Sequence, residues 1–236
     1  MHHLLIKLMR AGIVCGMLMS ANPLTAMAEE AENAYVATVT AESVNINKSL
    51  DSEEVLFTAE KGSSYEVLED YGNGWMRVQV NDTEGYMPVS GNASLHEADA
   101  AMLEQVRQEA REDAEQEKRQ QAVDYAMQFV GGRYRYGGSD PHTGVDCSGF
   151  TKYVLQNGAG ISLNRSSTGQ AAQGASVSAE QMQPGDLIFY GSGKRINHVA
   201  MYIGEGQVVH ASSEETGITV SPWNYRNPVQ IKNVMG

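Results

Sequence analysis

The chain has 236 residues, 42% of them hydrophobic, with 24 glycines and 6 prolines; this is a globular composition with room for one large domain or two modest ones, and it excludes a fibrous or disordered chain. Seventeen basic residues against 29 acidic give a net charge of −12, which repels phosphate backbones and argues against nucleic acid as a partner. The longest apolar run, Ala11 to Met19, is too short to span a bilayer, so no mature membrane span is expected.

That run is preceded by Lys7 and Arg10 and followed by Ala26-Met27-Ala28 ahead of Glu29-Glu30, the three-part layout of a secretory signal peptide over residues 1–28. Val14 before Cys15 does not suit a lipoprotein signal, so a secreted or cell-wall-associated protein is expected. Cleavage after Ala28 would leave 15 basic against 29 acidic residues, a net of −14, and a single cysteine, Cys147. A lone thiol in an oxidising compartment forms no intrachain disulfide and calls for either burial or a chemical role.

From Tyr35 to about Val89 short alternating runs predict small strands: Val36-Thr38-Thr40, Tyr65-Val67-Leu68 and Trp75 to Val80. Gly62, Asn73-Gly74 and Glu84-Gly85 read as the turns, and closure into a compact barrel would protect the strand edges. Ser43-Val44-Asn45-Ile46-Asn47, Lys61-Gly62, Gly74 to Val78 and Glu84-Gly85-Tyr86-Met87 resemble the landmarks of a bacterial SH3-like domain, here given the bounds 33–92. The resemblance implies a wall-targeting or substrate-gating module, with Tyr86 where Trp is more usual. Trp75 reads either as a core aromatic or as a ligand contact.

Between Asn92 and Val130 there is neither Gly nor Pro, and Ala, Glu, Gln and Arg dominate, which predicts a helix. Leu95 to Gln121 carries eight acidic and four basic residues, with Glu115 and Arg119 at i, i+4, so residues 93–121 read as a charged, solvated helical linker. A coiled-coil dimer is the competing reading, on a weak seam at Ala110 and Ala114. From Ala122 the apolar stripe Val123, Ala126, Met127 and Val130 returns, opening a second domain over 122–236.

There, Asp146 precedes Cys147-Ser148-Gly149-Phe150 and a helical run to Gly158, which makes Asp146 a helix cap and puts Cys147 in the first turn. Unpaired N–H groups and the helix dipole at that position would lower the thiol pKa; a buried structural cysteine is the alternative. A thiol nucleophile needs a base, and imidazole titrates in the right range. His96 and His142 read as surface residues. His198 to Ile203 and Gln207 to Ala211, joined by Gly204-Glu205-Gly206, read as an antiparallel hairpin. A three-residue loop puts Ala200 opposite His210 and leaves His198 and His210 on one face as diagonal neighbours, roughly 7 Å apart. One imidazole can then serve the thiol while the other fixes its tautomer. A Cys-His-His zinc site is conceivable, but structural zinc draws ligands in close pairs and no such pair exists here.

Tyr134-Arg135-Tyr136-Gly137-Gly138, Asp146 to Phe150, Leu163 to Ser166, Pro184 to Phe189, His198 to Gly204 and Val209-His210-Ala211 resemble, in order, the motifs of NlpC-type cell-wall cysteine peptidases. The resemblance implies a papain-like α+β fold, helices packed on a central antiparallel sheet. It implies cleavage of peptidoglycan stem peptides, most often between D-glutamate and a diamino acid. By position Cys147 is the nucleophile, His198 the base and acid, and His210 the orienting residue, with no metal and no cofactor. The same resemblance gives Tyr134, Asp146, Ser148, Arg165 and Ser166 to substrate. Each also has a plainer role: Asp146 as cap, Ser148 and Ser166 as local hydrogen-bonders, Tyr134 as core and Arg165 as an ion-pair partner. Asn164 stands where the family often has Pro. An N-acetylmuramoyl-L-alanine amidase or a cross-bridge peptidase on the same fold, or a non-catalytic wall-binding protein, are the alternatives.

Overall fold

The computed structural model describes residues 34–193 and 195–236; the signal-peptide reading lies outside them. The chain divides into two compact units at Asp113/Ala114. No helix among the described residues is long and apolar enough to cross a membrane.

In the first unit, strands β1 (Ala34–Val39), β2 (Ser43–Asn47), β3 (Val55–Glu60), β4 (Ser64–Asp70), β5 (Trp75–Val80), β6 (Thr83–Pro88) and β7 (Ala93–Ala98) form one sheet in the order β3-β2-β6-β5-β4-β1-β7. Period-2 alternation drives it. In β5, Met76, Val78 and Val80 are buried while Trp75, Arg77 and Gln79 are on the other face. Side chains from β1, β2, β3, β5 and β6 meet in one cluster around Ile46, Val78 and Met87, so the sheet curls about a single core. Gly85 is not a turn residue: the β5–β6 turn is at Asn81, whose φ is 52°. Gly85 instead lies in β6, where a Cβ would meet Ile46 Cγ2 at 2.4 Å.

The helix expected over 92–130 is shorter at both ends. Ala93–Ala98 is a strand, paired with β1 from Ala34↔Ala98 to Val39↔Ala93; a free strand edge offering a ladder of partners outweighs local helix propensity. Helix α1 (Ala100–Met127) starts after Asp99, whose Oδ1 accepts the Met102 N–H at 2.8 Å. Its first turns bury Val106 against Val36 and Ala98, and Arg107 forks onto Glu66.

In the second unit the end of α1 contributes Ala122, Val123 and Ala126 to the core. The short pair β8 (Ser139–Asp140) and β9 (Gly144–Val145) precedes α2 (Cys147–Ala159) and α3 (Ser167–Ala171). Strands β10 (Ala175–Ser176), β11 (Leu187–Ser192), β12 (Arg195–Gly204), β13 (Gln207–Ser213), β14 (Gly217–Pro222) and β15 (Pro228–Asn233) form an antiparallel sheet in the order β10-β15-β11-β12-β13-β14. Strand β11 is buried on both faces: Leu187 and Phe189 join Phe150, Val154 and Leu155 of α2, and Ile188 and Tyr190 join a cluster with Val208 and Ile231. Helix α2 runs past Gly158 and is closed by Gly160 at φ 71°. Gly158 is inside it because α1 comes close, a Cβ there meeting Ala122 Cα at 3.2 Å.

Arg119 corrects the solvated reading of the linker. It pairs with Glu115 at 2.7 Å, as the i, i+4 spacing predicts, but it is 2% exposed and also donates to Asp186 Oδ1 at 3.1 Å and to the Pro184 carbonyl at 2.9 Å. Burial pushes the Asp186 carboxyl up, against the Gln183 N–H and Arg119, which hold it down. Arg119→Met would strand that carboxylate, and we expect a loss of about 3–5 kcal/mol in urea unfolding. The double variant Arg119→Met/Asp186→Leu, which leaves no buried charge behind and only the part-exposed Glu115 without its partner, should lose less. A loss below about 1 kcal/mol in the single variant would contradict this account of the pair.

Candidate active site

The site is built around the start of α2. Asp146, extended at φ −90° and ψ 175°, accepts the Gly149 N–H on Oδ1 at 2.8 Å and so holds the first turn in place. Its Oδ2 accepts the Gly137 N–H at 2.9 Å. Arg165 closes a fork on both oxygens, at 2.9 and 2.7 Å, and donates further to the Ser148 and Ser139 hydroxyls and the Gly138 carbonyl. Burial alone would raise the Asp146 carboxyl, but Arg165 and the two backbone N–H groups hold it below the usual range.

Helix α3 is tied to the same place. Ser166 caps it, accepting the Gly169 N–H at 3.1 Å. Gln170, fully buried, donates to the Ser148 and Asn164 carbonyls at 2.8 and 2.9 Å and accepts from the Thr151 hydroxyl at 2.8 Å. Arg165, Ser148 and Ser166 thus have the local roles that the sequence left open beside substrate contact.

Cys147 is half-buried at the N-terminus of α2, its thiol against the backbone N–H of Val199 in β12. The expectation of a lowered thiol pKa is corrected here. Burial pushes it up, and the N–H groups of Val199, Ser148 and Cys147 itself offset that only in part, while Asp146 adds to the rise. The field of the helix end is legible locally; desolvation by the packed sheet is not.

The two imidazoles come from the expected hairpin. Met201↔Val209 and Tyr202↔Val208 are paired, with an irregularity between Tyr202 and Gly204, and this register continued puts Ala200 opposite His210. His198 Nε2 and His210 Nδ1 are 2.8 Å apart, the ring centroids 5.0 Å. His198 is 7% and His210 1% exposed. Burial lowers both: His198 to about 3, with a further contribution from its neighbour, and His210 to about 4. At neutral pH both rings are therefore uncharged.

Two partners of His210 escaped the sequence reading. Ser221 Oγ is 3.1 Å from its Nε2 and the Tyr225 hydroxyl 3.3 Å from its Nδ1. His210 is paired with Thr219 in β14, so Ser221, two residues on, shares its face; that signal exists only once the β13–β14 register is known. Tyr225, beyond β14, has no sequence signal. Among the other histidines, His142 packs on Phe129 at 5.2 Å and His96 bonds to Ser94.

Tyr134, Asp146, Cys147, Ser148, Arg165 and Ser166 all line one cleft of about 660 Å³. Tyr134 is bridged to Val145 and packs on the core, and burial raises its hydroxyl, with Cys147 and Asp146 adding to the rise. The cleft also takes in Tyr136, 85% exposed, together with Arg195 and Asn197. The arrangement offers the groups that acyl transfer uses: a thiol at a helix end against the strand that carries His198, and two neutral imidazoles in contact with each other.

Residues 131–234 match the NlpC/P60 family profile. The chain is 46% identical to the probable endopeptidase p60 of Listeria innocua over 86 residues, 36% of this chain and 18% of that protein. It is 38% identical to the gamma-DL-glutamyl hydrolase of Bacillus subtilis over 101 residues, 42% and 24% of the two chains. It is 39% identical to the murein DD-endopeptidase MepS/murein LD-carboxypeptidase of Escherichia coli K12 over 102 residues, 43% and 53%. The chain spans about half, or less, of the length of these curated relatives. The matched segment contains α2, the β12–β13 hairpin and the paired imidazoles, and with its helices on an antiparallel sheet it is an NlpC/P60 domain of papain-like α+β fold.

Proposed function

We propose that this chain is an exported peptidoglycan hydrolase, a cysteine endopeptidase that cuts stem peptides at the γ-D-glutamyl to diamino-acid bond. The observation that carries the reading is the His198–His210 contact at 2.8 Å on the strand whose Val199 N–H faces the Cys147 thiol, a thiol that reaches an open cleft. The name of the B. subtilis relative supports the γ-glutamyl bond. That of the E. coli relative, a DD-endopeptidase and LD-carboxypeptidase, keeps a cut elsewhere in the stem or cross-bridge as the second reading. In the same proposal residues 1–28 direct export, residues 33 to about 98 form an SH3-like wall-binding module, the exposed part of α1 links it, and the segment from Ala122 does the chemistry.

The mechanism follows from the neutral resting pair. With His198 Nε2 engaged by His210, Nδ1 is left to take the Cys147 proton as Sγ attacks the scissile carbonyl carbon. The oxyanion of the tetrahedral intermediate accepts from the Cys147 N–H and the Tyr134 hydroxyl. Collapse breaks the C–N bond, His198 returns its proton to the leaving amine, and a thioester remains on Cys147. Water, losing a proton to His198, attacks the thioester and releases the acid and the thiol. While His198 is imidazolium its Nε2–H donates to His210 Nδ1, and the His210 Nε2–H donates to Ser221.

Three outcomes test this reading. Muropeptides digested by the protein should yield fragments beginning with the diamino acid, and Cys147→Ala should yield none; other product masses would move the cut, and activity retained in the variant would refute the nucleophile. Because the thiol pKa is raised and the imidazoles are neutral, alkylation of Cys147 by iodoacetamide should climb about tenfold per pH unit between pH 6 and 8. A rate flat across that range would indicate a preformed thiolate–imidazolium pair instead. Ser221→Ala leaves a buried His210 nitrogen without its partner and should lower kcat about tenfold with KM little changed, whereas Ser221→Thr keeps the hydroxyl and most of the activity; an unaffected kcat in the alanine variant would remove Ser221 from the relay.

A further inference from the structure

The first unit has an aromatic that its core does not use. Trp75 opens β5 on the face opposite Met76, Val78 and Val80 and is not part of their cluster. It lines a groove of about 350 Å³, with Val55 and Pro88 as further apolar wall. Val55 is 42% exposed.

Three side-chain amides face the same space: Asn45, Asn47 and Asn92. Two are oriented by the fold. Asn45 Oδ1 accepts the Thr58 hydroxyl at 3.0 Å, which leaves its N–H groups to donate outward. Asn92 Nδ2 donates to the Pro88 carbonyl at 3.1 Å, which leaves its oxygen to accept. Asn47 has no side-chain partner among the described residues. Glu53 is the one ionisable group among the lining residues, and no Lys or Arg is among them.

A flat indole bordered by a fixed donor and a fixed acceptor suits a ligand with C–H faces and neutral polar groups. The absence of a lining cation, with Glu53 present and a chain charge of −12, disfavours carboxylate-bearing stem peptides and phosphate polymers. We propose that the Trp75 groove binds a neutral N-acetylated glycan, the sugar strand of the wall, with the indole under a pyranose ring and Asn45 and Asn92 on its hydroxyl or acetamido groups. The proposal rests on the wall-binding reading of the first unit and is independent of the catalytic reading of the second.

The test uses the full chain carrying Cys147→Ala, so that no cleavage intervenes, and Trp223→Phe, which leaves Trp75 as its one tryptophan. Titration with the tetramer of N-acetylglucosamine should change the Trp75 fluorescence with a Kd of about 1 mM or tighter. Asn45→Ala, which leaves the indole in place, should weaken binding at least fivefold. Trp75→Ala in the Trp223-containing Cys147→Ala chain, followed by calorimetry, should abolish it. Circular dichroism of each variant checks that the sheet is intact. A fluorescence change produced by a free stem peptide and not by the glycan would overturn the proposal, as would no response to either, or glycan affinity unchanged in the Trp75 and Asn45 variants.

Discussion

The carboxylate of Asp146 is the constraint on which the second unit's chemistry depends. It caps α2, receives the Gly137 N–H from the preceding loop and takes the Arg165 fork from the segment leading to α3. One partly buried anion therefore sets three pieces of chain around Cys147. The ion pair is not an ornament of the surface: its carboxylate side chain is 12% exposed, and loss of either partner leaves a desolvated charge or an unpaired donor fork. Gln170 repeats the device with a neutral amide, joining α3 to α2 through Ser148 and Thr151. Cys147 is positioned by this frame, while His198 and His210 are positioned by the sheet.

That division explains the electrostatics of the site. The sheet buries His198 and His210 and keeps both rings neutral. The same burial holds the thiol protonated, so neither the thiol nor the imidazoles rest as ions. A buried imidazole needs partners for both nitrogens, and His198 on one side and Ser221 on the other supply them for His210. Tyr225 packs on His210 at 5.0 Å and on Tyr190 at 5.1 Å.

Much of this was legible in the residues. The expected three-residue connection is in the structure a two-residue one, Glu205-Gly206, preceded by an irregularity between Tyr202 and Gly204 that gives the same register, so the two histidines share a face as expected; Asp146 ahead of a helical run announces a cap. What escaped was tertiary. Ala93–Ala98 has a helix former's composition but finds the edge of β1, about 60 residues earlier in the chain. Gly85 and Gly158 read as turn and stop, yet each is small because another segment passes close by. Arg119 reads as one of many solvated charges, and only the approach of Asp186 makes it a buried one. The thiol's raised pKa belongs to the same class, since burial is a property of the whole fold.

The central claim is that Cys147 becomes acylated. Acid-quenched reactions of the protein with a defined stem tetrapeptide, analysed by intact mass and peptide mapping in the first turnovers, test it most directly. The account predicts an adduct with the mass of the amino-terminal acyl fragment, located on Cys147 and absent from Cys147→Ala. Turnover with no adduct on Cys147, or an adduct on another residue that persists in the variant, would contradict it.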